Sequence, residues 1–283
     1  MEPDPALGAV KTYRYLRVAL VSLVVLLFGS VVIEWLATGP SCLQPSISAY
    51  YYTPARAVFV GVLVTMGVCL IALEGNTEAE DVLLNFAGML APGVAFVPTS
   101  DSGECHSVPL SAVDVGADVA NNMQALFVAG ILVGAVAFVI ARREAADGTL
   151  GRWERIGILV TVAVLGGGVV WFYVARSSFV AHAHGAAAVP MFLALVVVVW
   201  LNARDVQQSV QAGALATRAG AYVPVYRGIA VGMLVALAVT VLLSWLTGST
   251  SVVLWVEVVL ITLFAAFWVV QTVELWNRGL RRP

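Results

Sequence analysis

The chain is written as long apolar runs separated by short polar stretches, and inside the runs the apolar residues are continuous. A bilayer core of about 30 Å asks for roughly 20 apolar residues per helix, with a range of about 17 to 25. Eight stretches qualify: residues 18–37, 57–73, 82–97, 123–141, 156–175, 186–201, 229–246 and 252–273. The third is short and contains Pro92, so a broken or partly interfacial helix is expected there. The alternating pattern of a membrane β-barrel is missing. No internal repeat is visible, so an inverted-repeat transporter plan has no support. The expected fold class is all-α: a single domain forming a polytopic bundle of eight transmembrane helices.

Composition strengthens this. Of 283 residues, 60% are hydrophobic and 11% charged, with a mean hydropathy of +0.93. A soluble domain carries about a quarter charged residues. The net charge of −2 offers no basic face, which excludes nucleic acid as a partner and leaves membrane lipids. Lys11, Arg14 and Arg17 precede the first run as in a signal peptide. That run is longer than the roughly 7 to 15 residues of a signal's apolar region, and no A-x-A site follows, so it is expected to stay as a helix.

Charge also gives an orientation. With eight spans and the N-terminus inside, the cytoplasmic side receives Lys11, Arg14, Arg17, Arg142, Arg143, Arg152, Arg155, Arg204, Arg218, Arg227, Arg278, Arg281 and Arg282. The outside receives Arg56 and Arg176 alone. This asymmetry predicts a cytoplasmic-membrane protein with both termini inside. Trp35, Trp171, Trp245 and Trp255 fall near the outer boundary and Trp153, Trp200 and Trp276 near the inner one, where amphipathic rings settle. Cys42 and Cys105 then lie in external loops, where either a disulfide or two free thiols is permitted, while Cys69 is inside the second span. Gly130/Gly134, Gly228/Gly232 and Gly166–Gly168 read as sites of close helix packing.

Placed on this map, the ionisable residues gather outside: His106, His182, His184, Asp101, Glu104, Asp114, Asp118, Arg56 and Arg176. Two acids are embedded, Glu34 near the outer end of the first run and Glu257 in the eighth. A helix starting near Thr250 puts Glu257 about 10 Å below the surface. Burial there is costly unless the carboxylate is paired, protonated or facing a wet cavity. One reading is an outward-facing polar pocket lined by Glu257, Glu34, Arg56, Arg176 and the histidines; the other is a set of structural ion pairs, with Arg56 and Arg176 as the partners. The stretch 45–56 adds Tyr50, Tyr51 and Tyr52 with Ser46, Ser48 and Thr53, an aromatic and hydroxyl surface suited to a ligand or to interfacial anchoring.

A zinc site formed by His106, His182 and His184 is chemically reasonable. On a helix, however, residues two apart point about 200° from each other, so His182 and His184 share an ion only if their segment is extended. The bland reading is a pair of interfacial histidines at a helix N-terminus. Asn85 and Gln124 are expected to bond across helices. The 204–227 connection is long enough for a short surface helix, and the acidic 74–81 loop shows no catalytic pattern. P-loop, dinucleotide, G-x-S-x-G and metalloprotease motifs are absent.

The run S-I-S-A-Y-Y-Y-T-P-A-R-A-V-F-V-G at 46–61, followed by Gly67, Leu70 and Gly75 and then by D-V-L-L-N-F-A-G at 81–88, resembles the DUF998 and Frag1-like families of bacterial multi-pass membrane proteins. The likeness covers about residues 45–98, with a weaker echo between Trp255 and Trp276. More distantly the chain looks like the superfamily of alkaline ceramidases and PAQR receptors. That likeness implies a serine, an aspartate and three histidines around a hydrolytic zinc, with Ser46 or Ser48 as the serine; the paired H-x-x-x-H is absent here.

The leading expectation is a membrane protein that binds or translocates a small ligand, ion or lipid headgroup in an outer pocket. Arg56 and Arg176 attract an anionic group, Glu257 and Glu34 act as counter-charges or proton-linked switches, and His182, His184 and Tyr50 line the mouth. The second class is a zinc-dependent lipid amidase or esterase, and the third a structural or regulatory subunit that binds another protein.

Overall fold

Apolar runs become helices, and most of these helices are longer than the runs that announce them. The computed structural model describes residues 5–39, 42–99, 115–144, 149–247 and 253–281. Among these are eight α-helices and no strand: α1 Pro5–Thr38, α2 Arg56–Ala72, α3 Glu78–Phe96, α4 Val115–Glu144, α5 Arg152–Val174, α6 Arg176–Gln211, α7 Tyr222–Thr247 and α8 Val253–Glu274. Seven are long and apolar enough to cross a membrane; α2, with 17 residues, is a shorter apolar helix.

Several boundaries differ from the sequence reading. Helix α1 begins at Pro5, so Lys11, Arg14 and Arg17 ride on the helix instead of preceding it. Helix α3 runs unbroken through Pro92. Its start is fixed by Thr77, whose side chain accepts from the Glu80 amide at 3.2 Å, with Glu78, Glu80 and Asp81 in the first turn against the positive helix end. Helix α6 begins ten residues before its apolar run and continues past it to Gln211. The connection to α7 holds only a short 3₁₀ turn, Thr217–Ala221, in place of a surface helix.

Neighbour relations close a ring. α1 packs on α2, α2 on α3, α3 on α6, α6 on α7, α7 on α8, and α8 back on α1. The interior is filled, not open: Leu20, Leu84, Met191, Val198, Met233, Leu260, Phe264, Phe267 and Trp268 are all buried in one apolar cluster. The α4–α5 hairpin leans against α3 and α6 from outside. Its surface stays largely exposed and apolar, through Ile131, Leu132, Val133, Leu159 and Val162, as expected of a lipid-facing element.

The tightest crossing joins α2 to α3. A Cβ on Gly67 would lie 2.7 Å from the Gly88 carbonyl, and one on Gly88 would lie 2.6 Å from the Gly67 carbonyl. Pro92 has no N–H, which frees the Gly88 carbonyl four residues earlier. Gly67 brings its backbone onto that carbonyl, so helix continuity and helix packing meet at one point. The other glycines divide. Gly130, Gly168 and Gly232 face Leu165, Phe127 and Leu263 closely, whereas Gly166 and Gly228 face open space.

Arg14 Nη2 donates to the Trp276 carbonyl and Arg17 Nη2 to that of Gly279, both at 2.6 Å, so the two chain ends share one end of the bundle. We call that end proximal and the other distal.

Candidate functional site

At the distal end, residues 44–55 form neither a strand nor an α-helix. They include a buried 3₁₀ turn, Ser48–Tyr52, and they cover that mouth of the ring. Tyr50, Tyr51, Tyr52 and Ala55 pack against Leu27 and Val31 of α1, Phe59 and Val62 of α2, and Leu254 of α8. Irregular backbone at membrane depth is tolerated where protein encloses it or where it lines a polar cavity. Here protein encloses it, and the segment's own polar residues Gln44, Ser46, Ser48 and Thr53 are all buried. Ser46 Oγ lies 3.0 Å from Ser48 Oγ and accepts from the Ala49 amide, while Ser48 Oγ lies 3.2 Å from Thr99 Oγ1. The Tyr52 hydroxyl donates to the Thr99 carbonyl at 2.9 Å.

Glu257 holds this segment to α8. Its Oε2 accepts from the Ile47 amide at 2.5 Å, and one turn earlier the Leu254 amide donates to the Pro45 carbonyl at 3.0 Å. Among the described residues no cation faces the Glu257 carboxylate. Arg56 pairs elsewhere, with Asp118 at 2.5 Å, and it donates to the Tyr51 hydroxyl and stacks on that ring. Burial pushes the Tyr51 phenol up, and the nearby Arg56 partly offsets this. Arg176 donates to the Gly116 carbonyl at 3.1 Å and lies over Phe172. Both arginines therefore fasten the start of α4, one to Asp118 and the other to Gly116. Burial also raises the Tyr50 phenol, with a smaller contribution from the negative charge of Glu34.

The two described histidines are helical and separate. His182 Nδ1–H donates to the Ser178 carbonyl within its own helix at 3.0 Å, and the ring is exposed. His184 Nδ1–H donates across to the Val97 carbonyl at 2.8 Å, tying α6 to the end of α3. The extended turn that would aim both at one ion is not formed. Among the described residues no group of three or more His, Cys, Asp and Glu side chains suits a metal ion. His106, Asp101, Glu104, Asp114 and Cys105 lie outside those residues. Cys42 is disulfide-bonded, and Cys69 is a buried free thiol.

Sequence reasoning missed a denser polar cluster at the proximal mouth. Asn202 on α6, fully buried at 0% exposure, is its centre. Its Nδ2 donates to Glu80 Oε1 at 2.7 Å and to the Val198 carbonyl; its Oδ1 accepts from Gln271 Nε2 and Arg281 Nη2, both at 2.9 Å. Glu80 also accepts from the Asn76 amide at 3.0 Å. Arg281 grips Glu274 with two hydrogen bonds of 2.8 Å and reaches Asp205 at 3.0 Å. Tyr226 donates to Glu274 at 2.5 Å. Burial works against the Arg281 charge, but the bonds and charge of Glu274 outweigh it and hold the guanidinium above its ordinary value. Charged groups from α3, α6 and α8 and the C-terminal tail thus close the ring like a clasp. The available signal was two i, i+3 polar pairs at the proximal ends of long apolar runs, Asn202/Asp205 and Gln271/Glu274. Asn85, expected to reach another helix, bonds Asp81 in its own, and Gln124 is exposed.

No protein-family model, curated protein or solved structure matches this chain. Its helices nevertheless mark it as a membrane protein.

Proposed function

We propose that the protein crosses the cytoplasmic membrane eight times with both termini inside, and that it binds a small ligand at the distal mouth of the six-helix ring, beneath residues 44–55. One observation carries this reading: Glu257, a carboxylate inside an apolar helix, is bonded to a backbone amide and faces no described cation. An ionisable group at such a position is a functional residue by default, because a purely structural role is met more cheaply by a neutral side chain.

The chemistry of the mouth narrows the ligand. Arg56 is neutralised by Asp118, and Arg176 is spent on a carbonyl and an aromatic face. What remains is oxygen: Glu257, Ser46, Ser48, Thr53 and Tyr50. Such a set suits a small cation or a neutral ligand rich in hydrogen-bond donors, in place of the anion that the arginines first pointed to. The Ile47–Glu257 bond acts as the latch of the covering segment, and ligand entry exchanges that bond for contacts to the ligand.

Glu257→Gln is the discriminating change, because glutamine still accepts from Ile47 while removing the charge. Thermal unfolding of detergent-purified protein is followed against sodium, potassium, ammonium and methylammonium. A probe that stabilises the wild type and not Glu257→Gln supports the site. Equal stabilisation of both proteins leaves Glu257 as a structural latch and removes the reading.

A further inference from the structure

The proximal ends of α6 and α7 frame a cavity of about 330 Å³ that lies outside both polar clusters and is lined by Trp200, Arg204, Gln207, Gln208, Gln211 and Arg227. On α6 these residues recur at helical spacing, so one face presents an aromatic ring, a guanidinium and then three amides. Arg227 of α7 donates to Gln207 Oε1 at 2.5 Å, and its guanidinium lies 5.9 Å from the Trp200 ring centre. The lining holds two cations and no acid. Asp205, the nearest acid along the chain, points instead into the clasp toward Arg281. Among the described residues neither Arg204 nor Arg227 has a carboxylate partner, and most of their N–H donors are uncommitted.

The depth of this cavity follows from helix lengths. Helix α5 has 23 residues, about 35 Å, and α6 starts two residues after it ends. Running back along α5, α6 regains the proximal boundary after about 23 residues, near Trp200. Trp200 therefore sits at the interface and Arg204 just beyond it, where aromatic rings and snorkelling arginines are favoured. Toward the bilayer centre the same faces turn apolar. Leu193 and Val197 precede Trp200 on α6, and Val231 and Leu234 follow Arg227 on α7; all four are exposed. A polar, doubly cationic pocket thus opens onto a paired apolar track.

We propose that this groove binds an anionic phospholipid of the proximal leaflet. The phosphate is held between Arg204 and Arg227, the headgroup hydroxyls lie on Gln207, Gln208 and Gln211, and the acyl chains run along the Leu193–Val197 and Val231–Leu234 faces. Guanidinium groups match phosphate oxygens in a bidentate fork, and basic pockets between transmembrane helices at the interface recognise such headgroups. The assignment is independent of the distal ligand.

The test titrates delipidated protein with phosphatidylglycerol, with phosphatidylcholine of the same acyl chains, and with glycerol phosphate. Phosphatidylglycerol is expected to bind more tightly than phosphatidylcholine, and glycerol phosphate not to displace it. The double variant Arg204→Gln/Arg227→Gln is expected to weaken phosphatidylglycerol about thirtyfold, from about 1 kcal/mol per arginine, with an unchanged lipid-free unfolding midpoint. If the double variant unfolds early, Arg204→Gln alone decides; it breaks no described hydrogen bond and is expected to weaken binding about fivefold. Equal affinity for the two lipids, or unchanged phosphatidylglycerol binding in the variants, overturns the proposal. Displacement of the lipid by glycerol phosphate also overturns it, in favour of a soluble phosphate ligand.

Discussion

Asn202 accepts a hydrogen bond from Arg281 at 2.9 Å across 79 positions of the chain, and this bond joins the middle of the sequence to its tail. The same guanidinium binds Glu274 and Asp205 and is 2% exposed. Removing it takes from Asp205 its described cation and leaves Glu274 with the Tyr226 hydroxyl alone, while Asn202 Oδ1 keeps Gln271. Arg281→Ala is therefore expected to destabilise the protein by about 3–5 kcal/mol, the range for breaking one partner out of a buried charge pair. Arg281→Lys should recover only part of this, because an ammonium does not reproduce the two-bond grip on Glu274. Equilibrium unfolding in mixed detergent measures both. Wild-type stability in Arg281→Ala would show that the clasp contributes nothing.

The α2–α3 crossing gives a second expectation. Gly67→Ala sets a methyl group 2.7 Å from the Gly88 carbonyl and Gly88→Ala sets one 2.6 Å from that of Gly67, so each must push the helices apart. Overpacking of this kind costs about 1–3 kcal/mol. Gly61→Ala on the same helix meets nothing within 4 Å and serves as the neutral control. Equal unfolding midpoints for all three would contradict the crossing.

These two regions also show what was legible beforehand. Continuous apolar runs gave the helical class, because a bilayer admits little else, and Gly67 and Gly88 stood in the sequence pattern without their contact being visible. Glu257 was legible as a carboxylate in an apolar run; its partner was not, since Ile47 contributes only a backbone amide. The clasp was hidden for another reason. Glu80, Asn202 and Gln271 are ordinary polar residues near helix ends, and Arg281 counts as one more cytoplasmic charge until the fold brings them together. Arg56 misleads in the opposite sense: as one of two expected external cations it points to Glu257 or Glu34, whereas geometry gives it Asp118.

Membrane orientation is open to thiol chemistry. Cys42 is disulfide-bonded at the distal end, and Cys69 is buried within α2. In intact cells a membrane-impermeant maleimide should label neither. After treatment with an impermeant reductant, label is expected at Cys42 in the proposed orientation, which puts the distal end in the oxidising exterior. Labelling that appears only after the membrane is permeabilised would reverse the orientation.

On the proposed function, Glu257 serves a ligand and not merely the fold. Equilibrium dialysis of the purified protein against radiolabelled sodium or methylammonium, whichever stabilises the wild type, tests it most directly, with Glu257→Gln and Arg56→Gln alongside. One bound probe per wild-type chain is expected, with binding abolished in Glu257→Gln and retained in Arg56→Gln. Undiminished binding by a folded Glu257→Gln protein would leave Glu257 with a role in the fold alone.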